Sequence, residues 1–177
     1  MLTFFRLFVA LVIGWPFLIF GDQFAAMLAF GLFVVAAITD FLDGYLARKW
    51  NQISELGRML DPIADKVIVL MVLAILLGIL GLHWFLVLPV SIIFFRDILV
   101  SGMREFLGDR AKNLKVTRIA KWKTASQMVS IAIMLFAIAI HYNPILWVGV
   151  FVLWIASLLT AISGVDYALK AMKLLEN

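Results

Sequence analysis

The chain has 177 residues, of which 65% are hydrophobic and 15% charged, with a formal net charge of +4 and a mean hydropathy of +1.09. Soluble domains are roughly 45 to 50% apolar, so this composition excludes one and points to an integral membrane protein. The absence of cysteine removes disulfides and thiolate metal ligation, and in so apolar a chain the basic excess marks cytoplasmic loops and lipid head groups rather than a nucleic-acid partner.

About 20 apolar residues cross a bilayer as a helix. Six windows qualify in chain order: 3–20, 24–47, 62–81, 84–103, 119–140 and 145–169. Arg6 precedes the apolar run 7–20 as it would in a signal peptide, but no convincing small-residue cleavage site follows, so the run reads as a retained first span. The expected fold class is therefore all-α, with six transmembrane helices in a single membrane domain over 1–177.

Six spans put both termini on one side, and charge identifies that side. The turns 21–23, 82–83 and 141–144 contain no Lys or Arg. The other connections and the C-terminus carry Lys49, Arg58, Arg110, Lys112, Lys115, Lys170 and Lys173, with Arg6, Arg48, Arg104 and Arg118 at span ends. The positive-inside bias thus predicts cytoplasmic termini. The short outer turns predict that spans 1 and 2, 3 and 4, and 5 and 6 pair as hairpins. The segment 104–117, with Phe106, Leu107 and Leu114 among its charges, is expected partly in the interface. Trp50, Trp84, Trp122 and Trp147 fall near span ends as belt residues.

Against this apolar background, 40–65 stands apart. Asp40 and Asp43 lie three residues apart at the cytoplasmic end of span 2, on one helix face with Gly44 and Ala47. Asp61 and Asp65 lie four apart at the start of span 3, where Asp61 is expected to cap the helix and Pro62 to occupy its first turn. Four converging carboxylates near lipid repel one another unless a cation joins them. Hard divalent ions accept such oxygen ligands, and two ions sharing a carboxylate can clamp a diphosphate. Gly44 and Ala47 leave room for a bulky ligand against the helix, although small residues also serve helix packing. Arg48 suits phosphate oxygens, and the positive end of span 3 would favour phosphates as well. The pattern predicts a metal site for phosphoryl-group chemistry at the membrane surface.

These residues, Asp40-x-x-Asp43-Gly44-x-x-Ala47-Arg48, then eight residues, then Gly57-x-x-x-Asp61-x-x-x-Asp65, resemble the signature of the CDP-alcohol phosphatidyltransferases. The resemblance implies a six-helix membrane enzyme, a homodimer, that transfers a phosphatidyl group from CDP-diacylglycerol to an alcohol and releases CMP. It implies two divalent ions, Mg²⁺ or Mn²⁺, on Asp40, Asp43, Asp61 and Asp65. Asp65 matches the aspartate taken as the base for the acceptor hydroxyl. Asp43, Gly44, Ala47, Arg48 and Gly57, with Thr3 near the N-terminus, are the expected nucleotide and diphosphate contacts. The localisation implied is the cytoplasmic (inner) membrane, with the site facing the cytoplasm.

The acceptor is read from the remaining bases. Arg96 and Arg104 lie eight apart on one face of span 4, and Arg118, Lys121 and Lys123 cluster at the start of span 5. Each alone could snorkel to anionic lipid; together they suggest an acceptor bearing a phosphate. Regular geometry puts Lys121 and Lys123 about 200° apart, so Lys123 with Gln127 is the more persuasive inward stripe. Asp97, next to Arg96, offers a structural ion pair instead. The L-T-F-F-R opening, 96–105, A-K-W-K-T at 120–124 and S-G-V-D-Y at 163–167 resemble the branch of the family that makes phosphatidylglycerol phosphate, which implies glycerol 3-phosphate as acceptor; inositol phosphate is the alternative. A divalent-cation carrier would place polar groups at the midplane and outer half, whereas the outer turns offer only Asp22, His83 and His141.

Overall fold

The computed structural model describes residues 2–50, 55–108, 110 and 118–176, the side chains at 2, 40–50, 55–58, 118–121 and 176 excepted. Among the described residues there are seven helices and no strand: α1 (Leu2–Val12), α2 (Pro16–Ile19), α3 (Asp22–Trp50), α4 (Glu55–Leu80), α5 (Trp84–Leu107), α6 (Arg118–Ala139) and α7 (Asn143–Glu176). Five of them, α3 to α7, are long and apolar enough to cross a membrane, and the N-terminal apolar segment Thr3–Ile19 is shorter. The chain is thus an all-α membrane protein.

The first expected span is not one continuous helix. Pro16 lacks the N–H that an α-helix needs at that point, and the backbone turns at Gly14 and Trp15 through bonds from Trp15 N to Val12 O and from Phe17 N to Gly14 O, at 3.0 and 3.2 Å. The α4 helix also departs from expectation, because it begins at Glu55 and carries Pro62 in its interior. Asp61 is therefore not its cap, Pro62 is not in its first turn, and the positive helix end does not lie at Asp61. The strong helix formers Glu55, Leu56, Met59 and Leu60 extend the helix upstream at the expense of one backbone bond at the proline.

The chain divides into two compact units, 1–81 with 131–149 and 82–130 with 150–177. In the first, α1 packs on α3 and α4, and α2 on α3. The buried face of α1 runs Thr3, Arg6, Val9, Ala10 and Ile13, the three-and-four spacing of a helix stripe. Opposite it, α4 buries Ala64, Ile68, Val69, Val72, Leu73 and Leu76. Gly14 admits Ile75 closely, since a Cβ there would lie 3.1 Å from Ile75 Cδ1. The outward faces remain apolar, with Phe4, Phe8, Leu11 and Leu18 exposed, as lipid contact requires.

Turn chemistry follows the usual rules. Gly81 closes α4 at φ 86, a left-handed position that favours glycine. His141 does the same after α6 at φ 53, with Tyr142 N bonded to Ala137 O and His141 N to Ile138 O at 3.0 and 3.1 Å. This is the paired-bond helix stop in which glycine is usual.

In the second unit Pro89 sits inside α5 and cannot donate to Phe85 O one turn earlier. The indole of Trp154 on α7 donates to that carbonyl at 3.0 Å, and backbone acceptors at membrane depth are held by such bonds within the protein. Trp84, Trp122 and Trp147 are all exposed. The side chain of Trp50, and 109 and 111–117 of the expected interfacial segment, lie outside the described residues.

Candidate active site

In the first unit, the N-terminal turns of α1 and the upstream part of α4 bring four polar side chains together. Thr3 and Arg6, three apart, share a face of α1; Asp61 and Asp65, four apart, share a face of α4. Further along both helices these faces become wholly apolar, so packing fixes the register in which the polar ends meet. Thr3 Oγ1 donates to Asp61 Oδ1 at 2.5 Å, Arg6 Nη2 donates to the same oxygen at 3.0 Å, and Arg6 Nη1 donates to Asp65 Oδ1.

Exposure is divided unequally. The Arg6 side chain is 2% exposed, whereas those of Asp61 and Asp65 are 49% and 38% exposed. The guanidinium is sealed behind the carboxylates, which remain part-exposed. A carboxylate has about four lone-pair sites, so accepting from Arg6 leaves coordination capacity for a hard cation. The oxygen donor set fits a divalent ion of the Mg²⁺ or Mn²⁺ kind. Among the described residues no three His, Cys, Asp or Glu side chains gather as a metal site. The other two expected ligands, Asp40 and Asp43, are carried by the last turns of α3 with Gly44, Ala47 and Arg48, and their side chains lie outside the described residues, as does that of Arg58 and the surroundings of Gly57.

The second unit contains a polar network of its own. Asp97 is 4% exposed and Lys123 6%; Lys123 Nζ donates to Asp97 Oδ1, and Arg96 Nη1 donates to the same oxygen at 2.8 Å. Arg96 Nη2 reaches Ser163 Oγ at 3.2 Å. Gln127 is buried one turn beyond Lys123 and donates to Thr160 Oγ1 at 3.1 Å. Of the five bases expected at an acceptor site, the structure gathers Arg96 and Lys123 around one carboxylate. Arg104 lies apart from this ion cluster, with its guanidinium 5.6 Å from the centre of the Tyr167 ring. The side chains of Arg118 and Lys121 lie outside the described residues.

Sequence reasoning did not pair Arg6 with the aspartates of α4, and on α7 it passed over Thr160 and read Ser163 only within the S-G-V-D-Y run, without a partner. A signal for the latter existed: 157, 160, 163, 164 and 167 repeat at three and four residues and are all small or polar except Tyr167, which is the pattern of a polar helix face.

Comparison with known proteins agrees with the signature. Residues 1–162 match the family model described as CDP-alcohol phosphatidyltransferase. A protein of Cereibacter sphaeroides named CDP-diacylglycerol–glycerol-3-phosphate 3-phosphatidyltransferase is 41% identical, the match covering 99% of this chain and 96% of the relative. Proteins of the same name from Rickettsia felis and Salmonella typhimurium are 42% and 36% identical, each match covering 94% of this chain and 90% of the relative.

Proposed function

Because the chain belongs to the CDP-alcohol phosphatidyltransferase family and is an enzyme of that type, we propose that it transfers the phosphatidyl group of CDP-diacylglycerol to sn-glycerol 3-phosphate. The products are phosphatidylglycerol phosphate and CMP. The observation that carries this reading is the pair of half-exposed carboxylates, Asp61 and Asp65, in a chain closely similar over its length to enzymes named for that reaction.

In this reading Asp65 accepts the proton of the acceptor hydroxyl. The oxygen so exposed forms a bond to the phosphatidyl phosphorus as the bond from phosphorus to the CMP oxygen breaks, and the electron pair leaves with CMP. A base must lie within hydrogen-bond reach of its proton, and a carboxylate 38% exposed is open to an incoming hydroxyl. Two divalent ions, Mg²⁺ or Mn²⁺, held by Asp40, Asp43, Asp61 and Asp65, would neutralise the diphosphate and make CMP a good leaving group. Thr3 and Arg6 keep Asp61 and Asp65 oriented. Gly44, Ala47, Arg48 and Gly57 make room for and contact the nucleotide diphosphate, and the acceptor phosphate is recognised by bases drawn from Arg96, Arg104, Arg118, Lys121 and Lys123.

The protein is proposed to act as a homodimer in the cytoplasmic (inner) membrane, with six crossings and both termini inside. The α1 and α2 segment, at roughly 1.5 Å per residue, is nearly long enough for a crossing, and the outer turns lack Lys and Arg. In this cysteine-free chain, Leu82→Cys should react with an external impermeant maleimide and Leu175→Cys only after permeabilisation; the reverse would refute the orientation. The reaction is tested by CMP release from CDP-diacylglycerol in membranes containing the protein. Release should require both glycerol 3-phosphate and Mg²⁺ or Mn²⁺. Turnover with inositol phosphate but not glycerol 3-phosphate would remove the acceptor assignment.

A further inference from the structure

In the second unit, the face of α7 that carries Ser163, Gly164 and Tyr167 meets Arg96 of α5. The contact at Gly164 is so close that a Cβ there would fall 2.6 Å from Arg96 Cγ and 3.5 Å from Nε. The missing side chain thus lets the arginine stem lie along α7. Both terminal nitrogens of Arg96 are engaged, Nη1 by Asp97 and Nη2 by Ser163. Its Nε is buried with no hydrogen-bond partner among the described residues, and the same is true of Tyr167 Oη. Gly164 and Tyr167 are three residues apart and so share a helix face, and the Tyr167 ring is steadied by the Arg104 guanidinium.

Buried polar groups are almost always paired, and two orphans on one face call for an explanation. Arg Nε–H is a donor only, and a tyrosine hydroxyl can donate. The side edge of a guanidinium, Nε with Nη2, is one of the edges that takes an oxyanion bidentate. Asp97 meanwhile pairs with both Arg96 and Lys123, which holds the two cations in place, leaves the trio with a net positive charge, and does not engage the two donors.

We propose that Arg96 Nε and the Tyr167 hydroxyl are donors to a phosphate monoester, that of the acceptor alcohol, so that Tyr167 is a substrate-binding residue that selects a phosphate-bearing acceptor. This rests on the reading above that the acceptor carries a phosphate. A phosphate on a lipid head group has the same chemistry, and the two sources are separated by which substrate responds.

The test is Tyr167→Phe in the full-length protein in detergent. It removes one oxygen and keeps the ring beneath Arg104. A hydrogen bond to a charged group corresponds to about ten- to hundred-fold in binding. The KM for glycerol 3-phosphate should rise about ten-fold or more, with the KM for CDP-diacylglycerol and the melting temperature unchanged. Gly164→Ala, which forces Arg96 aside, should produce the same selective rise, and glycerol 3-phosphate should raise the melting temperature of the wild type more than that of Tyr167→Phe. A KM for glycerol 3-phosphate within about two-fold of wild type in Tyr167→Phe overturns the proposal, as does an increase confined to CDP-diacylglycerol. A wild-type protein that does not use glycerol 3-phosphate at all refutes the proposed reaction instead.

Discussion

Arg6 of α1 donates to Asp65 of α4 across 59 positions of sequence, joining a buried guanidinium to a carboxylate that remains open to solvent. With Asp61 bonded to the same guanidinium, Arg6 is the counter-ion that lets two carboxylates stand four residues apart on one helix face. Arg6→Met removes it and leaves the carboxylates to repel each other. Breaking a fully buried pair from one side costs about 3 to 5 kcal/mol; with both carboxylates part-exposed, the expected loss is about 1 to 3 kcal/mol. Thermal unfolding in detergent should show this loss in EDTA and a smaller one in Mn²⁺, which also neutralises the pair. An unchanged melting temperature in EDTA would contradict the role given to Arg6.

Asp65→Asn keeps the shape of the side chain and removes the base. General-base contributions are typically about 10² to 10⁴ in rate, so transfer should fall by at least that range, while the protein retains its melting temperature in EDTA to within a few degrees. Near-normal turnover would show that Asp65 does not take the acceptor proton.

The sequence made the aspartates legible because their spacing is local: three and four residues place them on helix faces before any tertiary structure is known. Hydropathy likewise located the long apolar helices. It could not find the partner of Asp61 and Asp65, since Thr3 and Arg6 lie 58 and 59 positions away from the carboxylates they meet, and such pairing is decided by which apolar stripes pack. Two local rules misled in the same way. Asp61-Pro62 has the form of a helix start, yet upstream helix formers extend α4 to Glu55, and the apolar run 7–20 contains a proline that breaks it. On α7 the polar spacing was visible, but only the packing at Gly164 and the bond to Ser163 connect that face to Arg96.

Asp97 is a carboxylate shared by the buried Lys123 and by Arg96, whose side chain is 12% exposed. Asp97→Asn removes the carboxylate that Arg96 and Lys123 share and should destabilise the protein by about 3 to 5 kcal/mol. Adding Lys123→Met to it should recover part of that loss, because one of the two cations facing the lost carboxylate is removed. The pair of melting curves checks this. Equal stability of Asp97→Asn and wild type would mean the network carries no net charge dependence.

Trp154 donates to Phe85 O, the carbonyl to which a residue at 89 other than proline would donate. Trp154→Phe should therefore cost about 1 to 3 kcal/mol beyond the change in ring size. In a Pro89→Ala background the new N–H at 89 can reach Phe85 O, and the cost should shrink. A double-mutant cycle measures the difference, and strict additivity would show that the indole bond and the proline are unrelated.

Identification of the lipid product tests the proposed reaction most directly. Purified protein in detergent, given CDP-diacylglycerol, glycerol 3-phosphate and Mg²⁺ or Mn²⁺, should yield phosphatidylglycerol phosphate and CMP in equal amounts by mass spectrometry. CMP formed without that lipid, or a phosphatidyl product formed only with another alcohol, would contradict it.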